Sequence, residues 1–209
     1  PPRSTLFPYT TLFRSGIYRE VELHRLPDCA LDRVQVTPLD LATVRLTVKL
    51  HGQVPAQCSF AVAFDGGAAQ TFTLPVANGQ TRLELPVPNP RVWSPTDPQL
   101  HTVEVAIAGD RIRERFGLRT VAAAGQQILL NGRPIALRGF NRHEAHPQLG
   151  PVQPPALMVA DLQWLKQMHA NFLRCVHYPQ DEAFLDLCDE LGILDRKSTR
   201  LNSSHGKLT

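Results

Sequence analysis

Two short polar clusters hold most of the chemically capable side chains in this 209-residue chain. One is Asn141-Arg142-His143-Glu144, followed by Ala145-His146-Pro147. The other is Arg174-Cys175-Val176-His177-Tyr178-Pro179. Amide, guanidinium and imidazole groups gathered this closely can hydrogen-bond the hydroxyls of a sugar and hold its ring. A metal reading fits less well. His143-Glu144-Ala145-His146 is HExH in a proline-bounded loop, whereas a zinc protease uses HExxH on a helix, where both imidazoles share one face. Glu144 with Asp181 or Glu182 would make a carboxylate pair for acid–base work. Asp181, however, stands where a helix begins and reads as its N-cap. Each residue also has a purely local reading. His143 then caps a loop, His177 stiffens the turn before Tyr178-Pro179, and Arg174 pairs with Asp189 or Glu190.

The elements that would position these clusters alternate between strand and helix. Residues 127–130, Asn131-Gly132 and 134–137 read as a hairpin with a type I′ turn. Residues 137–140 read as a short strand and residues 155–169 as a helix, with Leu157, Leu162, Leu165 and Met168 near helical spacing. Residues 171–176 are a second strand and 181–191 a second helix, with Phe184, Leu185, Leu187, Cys188 and Leu191 as its apolar residues. Gly192 ends that helix, and Ile193-Leu194 begins a third strand. Strand–helix–strand–helix–strand is the pattern of a parallel α/β unit. Both clusters follow the C-terminal ends of its strands, the face that carries the active site in a (β/α)8 barrel.

The chain before this unit is β-rich. Residues 18–23 and 44–50 alternate with period two, and residues 59–64, 71–74, 82–87 and 102–107 continue the series. Asp65-Gly66-Gly67, Asn78-Gly79, Asn89-Pro90, Ser94-Pro95 and Asp97-Pro98 punctuate it. Short strands at this spacing give an immunoglobulin-like sandwich, without the Cys…Trp…Cys pattern of antibody domains. Trp93 is assigned to the core. Ala122-Ala123-Ala124-Gly125 reads as a linker.

Composition narrows the function classes. Hydrophobic residues are 43% of the chain, which is enough for a core, and 18 prolines favour strands and turns over long helices. No run of apolar residues is long enough to span a membrane. The N-terminus lacks the apolar segment and cleavage site of a secretory signal. The formal net charge is +3, but six of the 22 Lys and Arg lie in residues 1–15 and 195–209. The interior holds 16 bases against 18 acids, which removes the case for nucleic-acid binding. Cys29, Cys58, Cys175 and Cys188 form no metal-site spacing and read as reduced, mostly buried thiols, in keeping with a cytoplasmic protein.

The two ends read differently from the interior. Residues 5–15 (TLFPYTTLFRS) and 195–205 (DRKSTRLNSSH) resemble translated sequencing-adapter DNA. They are expected to be foreign to the fold, so the sequon Asn202-Ser203-Ser204 is given no meaning.

The interior resembles family 2 glycoside hydrolases of the β-galactosidase type. Leu130-Asn131-Gly132-Arg133-Pro134, Arg138-Gly139-Phe140-Asn141-Arg142-His143-Glu144-Ala145-His146-Pro147 and Asn171-Phe172-Leu173-Arg174-Cys175-Val176-His177-Tyr178-Pro179 carry the likeness. Phe184-Leu185, Asp189 and Gly192-Ile193-Leu194 extend it. Gly16-Ile17-Tyr18-Arg19, Trp93-Ser94-Pro95 and Phe116-Gly117-Leu118-Arg119 carry it into the β-rich part. Val176 departs from the small polar residue usual in the family.

The resemblance implies a multidomain all-β plus α/β fold: an immunoglobulin-like β-sandwich followed by the first two βα units of a truncated TIM barrel. It divides the chain into residues 1–15 as adapter-derived tail and 16–27 as the last strand of a jelly-roll domain. Residues 28–120 are the sandwich, 121–194 the start of the barrel, and 195–209 a second tail. It implies a retaining glycosidase whose two catalytic glutamates lie on later barrel strands, beyond Leu194. Asn141, His143, Arg174 and His177 then serve as substrate-binding residues, the histidines touching sugar and Arg174 orienting carboxylates. No cofactor is implied within this segment, although the parent family uses magnesium. The implied partner of the parent is a β-galactoside, with no nucleic acid or membrane, in a homo-oligomer. The Asn141–Glu144 motif favours a β-galactosidase over a β-glucuronidase. A β-glucuronidase, another family 2 glycosidase or a non-catalytic immunoglobulin-like scaffold are the alternatives. The isolated segment is expected to be inactive.

Overall fold

The computed structural model describes residues 21, 23–176 and 179–197, with the side chain of Lys197 left out. The described chain divides into two compact units. One holds Arg25–Ala136 together with Asp189–Gly192, and the other holds Leu137–Cys188 and Ile193 onward.

The first unit is a sandwich of two antiparallel sheets. One sheet joins β1 (Cys29–Pro38), β2 (Thr43–Gly52) and β5 (Gln80–Pro86) in the order β1-β2-β5. The other joins β3 (Gln57–Phe64), β4 (Gln70–Pro75), β6 (His101–Ile107) and β7 (Asp110–Phe116) in the order β4-β3-β6-β7. Alternation sends Val44, Leu46, Val48 and Leu50 inward from β2 to meet Phe60 and Val62 of β3 and Val103 and Val105 of β6. Strands β1 and β7 were not among those read from the sequence. A register shift between Leu31 and Arg33 interrupts the alternation of β1, and five of the seven residues of β7 (DRIRERF) are charged, with Ile112 and Phe116 as its apolar residues in the core.

His101 sits in this core with no exposed surface. Its Nε2 accepts the Arg91 backbone N–H at 2.9 Å, so the proton lies on Nδ1 and is given to Asp65 Oδ2 at 2.7 Å. The Thr102 N–H also reaches Asp65, at Oδ1, 2.7 Å away. Trp93 is fully buried, as the sequence suggests. Its Nε1 donates to the Asp189 carbonyl at 2.8 Å, and the Arg119 guanidinium lies 4.5 Å from its ring centroid. Asp189 also accepts from Arg119, and Glu190 pairs with Arg115.

A small sheet closes this unit, in the order β10 (Arg133–Pro134), β9 (Gln127–Leu130), β8 (Val121–Ala124). Residues 122–125, read as a linker, fall mostly in strand β8 (Val121–Ala124), which pairs antiparallel with β9 (Gln127–Leu130). Alanine is a poor strand former alone, and the pairing with β9 overrides its propensity. The hairpin continues from β9 through Asn131 and Gly132, both at positive φ (53° and 76°), into a two-residue β10 (Arg133–Pro134). Positive φ at both turn positions is what a type I′ turn needs. The expected strand at 18–23 falls mainly outside the described residues. Val21 and Leu23 are exposed and belong to no strand.

The second unit is a three-stranded parallel sheet, β11 (Gly139–Arg142), β12 (Phe172–Cys175) and β13 (Leu194–Lys197), in sequence order. Helix α1 (Pro155–Gln167) joins the first two strands and α2 (Glu182–Leu191) joins the last two, as parallel pairing requires. Pro155 opens α1, where a missing N–H costs nothing. Its buried stripe is Met158, Leu162 and Leu165. Leu157 is only half-buried and Met168 is 54% exposed, so the apolar face is rotated from the one expected. Strand β13 takes in Asp195, Arg196 and Lys197, residues assigned to the tail in the sequence reading. Parallel pairing is made by backbone groups, so side-chain pattern alone does not mark where it stops.

Candidate functional site

The first polar cluster begins inside β11, two residues later than the strand read from the sequence. Its start is fixed by Gly139, where a Cβ would lie 1.6 Å from the Phe172 carbonyl oxygen. Only glycine allows β11 to lie this close to β12 at that level. In the resulting register Asn141 stands beside Arg174, and Arg142 beside Cys175.

Successive residues of a strand face opposite sides, so these pairs separate. Asn141 and Arg174 share one face, and the Arg174 guanidinium donates to Asn141 Oδ1 at 3.4 Å. Two of the four anticipated site residues are thus brought together. His143 lies just past the end of β11 and is exposed. His177 lies outside the described residues.

Arg142 faces the helices and is 8% exposed. Its Nε donates to Asp161 of α1 at 3.0 Å and its Nη1 to Gln180 at 3.0 Å, and Nη2 donates to Gln153. The guanidinium carbon lies 3.8 Å from the centroid of the Phe184 ring on α2. A planar, always-charged group with five N–H donors suits such a node. Arg142 therefore ties the end of β11 to α1, to the loop before α1 and to the loop before α2. Reading Asn141-Arg142-His143-Glu144 as one polar block concealed this. Strand alternation is the signal that separates Arg142 from Asn141.

Glu144 is 2% exposed and accepts the Asp181 backbone N–H at 2.9 Å. The Asp181 carboxylate accepts the Ala183 N–H at 2.9 Å, which caps α2. These two carboxylates therefore brace the loop and the helix start instead of forming an acid–base pair. His146 Nδ1 accepts the Gln148 N–H at 3.2 Å. Cys175, behind the site, has its thiol pushed up to about 12, by burial first and then by the Asp195 charge. Among the described residues no group of three His, Cys, Asp or Glu side chains is placed to hold a metal.

Two family models cover both units. "Glycosyl hydrolases family 2" matches residues 29–119, and "Glycosyl hydrolases family 2, TIM barrel domain" matches residues 121–204. The chain belongs to glycoside hydrolase family 2. It is similar to a β-galactosidase of Photobacterium profundum, 32% identical over 86% of this chain and 20% of that protein. A β-galactosidase of Leuconostoc mesenteroides is 31% identical over 86% of this chain and 19% of that protein. Among solved structures, a GH2 β-galacturonidase from Eisenbergiella tayi superposes with a TM-score of 0.70 at 34% identity, over 82% of this chain and 33% of that one. The β-glucuronidase of Bifidobacterium dentium gives 0.73 at 25% identity, over 82% and 31%. The chain thus spans about a fifth of the curated relatives it matches.

Proposed function

We propose that this chain is part of a retaining glycosidase that cleaves terminal β-D-galactosides, and that it supplies a supporting wall of the active site. The observation that carries the reading is the in-register pair Asn141 and Arg174, on the sheet face opposite the helices and beside exposed His143. In this reading β11-α1 and β12-α2 are the first two βα units of the barrel, and that face is the barrel interior. His143 and His177 contact the sugar. Arg174 orients the carboxylates that attack the anomeric carbon and protonate the leaving oxygen.

Retaining chemistry needs two carboxyl groups about 5 Å apart across the scissile bond. The carboxylates around this wall are engaged elsewhere: Glu144 with the Asp181 N–H, Asp181 with the Ala183 N–H and Asp161 with Arg142. The resemblance to family 2 assigns the catalytic glutamates to later strands of the parent, and on that reading the 209 residues alone are an inactive segment.

A uronide substrate is the second reading, favoured by the names of the solved structures that superpose on the chain. The deciding experiment expresses the full reading frame and compares kcat/KM for aryl β-D-galactoside and aryl β-D-glucuronide. The galactosidase reading expects the galactoside to lead by at least about 100-fold, the scale of discrimination that a few placed polar contacts supply. Preference for the glucuronide would overturn it.

A further inference from the structure

Three turns of this chain are built alike. Asp65-Gly66, Asn78-Gly79 and Asn131-Gly132 each carry both residues at positive φ: 50° and 72°, 53° and 71°, 53° and 76°. In each, the side-chain carbonyl carbon of the first residue stands next to the main-chain nitrogen of a glycine, which has no Cβ to hinder attack. Bond formation between the two would close a succinimide ring. With backbone and sequence this similar, the hold on each side chain decides which turn reacts.

Two of the three are pinned. Asp65 Oδ2 accepts from His101 at 2.7 Å, and Oδ1 accepts the Thr102 N–H at 2.7 Å. Asn131 Oδ1 accepts the Thr120 N–H at 2.9 Å, and its Nδ2 donates to the Trp93 carbonyl at 3.0 Å. Asn78 is exposed, and its side chain makes no hydrogen bond among the described residues. Asn89 is exposed too, at φ 47°, but it precedes Pro90, whose nitrogen has no proton to lose. We infer that Asn78 is a self-modification site, which deamidates through a succinimide with Gly79 and ends as isoaspartate.

The Gly79 main-chain nitrogen gives its proton to hydroxide and attacks Asn78 Cγ. That N–C bond forms, the Cγ–Nδ2 bond breaks, and Nδ2 takes up a proton and leaves as ammonia. Water then opens the ring at either carbonyl, with no change in oxidation state. Opening at the Asn78 main-chain carbonyl leaves the chain running through Cγ, one carbon longer, as isoaspartate. The turn joins β4 to β5 and so carries the chain from one sheet to the other. Within it Ala77 and Gln80 exchange N–H···O bonds of 3.0 Å each, and the Gly79 carbonyl accepts the Leu50 N–H at 2.8 Å. An extra chain atom and a new carboxylate at residue 78 disturb this closure.

The test incubates the full chain in mildly alkaline buffer and maps its peptides over time. The expected product is a peptide holding residue 78 that is about 1 Da heavier, from exchange of NH2 for OH, and that is labelled by an isoaspartyl methyltransferase. Asn78 should convert at least about tenfold faster than Asn131, the scale of rate ratio that two ordinary hydrogen bonds correspond to. In denaturant, where no turn is held, the two Asn-Gly sites should convert at similar rates. The melting temperature of the wild-type sandwich should fall as residue 78 converts, while that of Asn78→Ser holds steady over the same incubation. Conversion of Asn131 as fast as Asn78 in the folded chain would overturn the inference. So would an Asn78 that stays intact in the folded chain while converting in denaturant.

Discussion

At the scale of single residues, the sequence marked two polar clusters but not the separate work of each member. Asn141 and Arg174 meet because parallel register places them side by side. Arg142 and Glu144 stand in the same motif but face inward, where they brace loops. Residue type alone does not separate a sugar contact from a loop brace; the strand's alternation does. Replacing Arg142 by Ala removes three hydrogen-bonded contacts and the stack on Phe184. This should cost the second unit about 2–3 kcal/mol in denaturant unfolding, the upper range for disrupting a buried polar node. Arg142→Lys should recover little, since an ammonium has no planar fork to reach Gln153, Asp161 and Gln180 together. Full stability in either variant would contradict the assigned role.

Asp65 gives a second residue-scale test. Burial pushes its carboxyl up, but the Thr102 N–H, the His101 imidazole and the Arg91 charge outweigh this and hold it below its ordinary 3.8. A carboxyl that is more acidic in the folded chain binds fewer protons there than in the unfolded chain. Its stabilisation is therefore complete above about pH 4 and is lost as pH falls through the folded value. The sandwich melting temperature should fall on acidification below that point. Asp65→Asn should melt with a shallower acid limb, and an unchanged limb would remove Asp65 from the account.

At the scale of elements, β2–β6 and both helices were legible because their apolar periodicity is strong. Strands β1, β7 and β8 were missed for separate reasons: a register shift in β1, charge at five of seven positions in β7 and an alanine run in β8. The stripe of α1 was misread by one position because Leu157 and Met158 are adjacent and both apolar, and only packing chose Met158. The β11–β12 pairing turns on Gly139, where a side chain would overlap the Phe172 carbonyl. Gly139→Ala should weaken the second unit by at least the 1–3 kcal/mol typical of overpacking, since the obstacle is backbone (about 1–3 kcal/mol in cores generally). Amide exchange at Phe172–Cys175 would report it as lost protection, and retained protection would count against this reading of the register.

At the scale of the molecule, the two units differ in how well they cover apolar surface. The sandwich surrounds a continuous core drawn from both of its sheets. In the second unit, β11 and β13 are edge strands among the described residues, and Phe140, Trp164 and Met168 are 51%, 64% and 54% exposed. Apolar exposure of this kind promotes association. The purified chain is expected to aggregate through this unit, and Trp164→Glu should raise the monomer fraction in light scattering. A wild-type chain that is fully monomeric and unfolds cooperatively would contradict that expectation.

In the proposed function the chain holds the wall of a glycosidase active site but not the carboxylates that break the bond. Incubating the purified 209-residue chain with a chromogenic aryl β-D-galactoside tests it most directly, with His143→Ala as the control for contaminating activity. No turnover above buffer is expected from either protein. Turnover by the wild-type chain that disappears in His143→Ala would show that catalysis resides in these residues, and would contradict it.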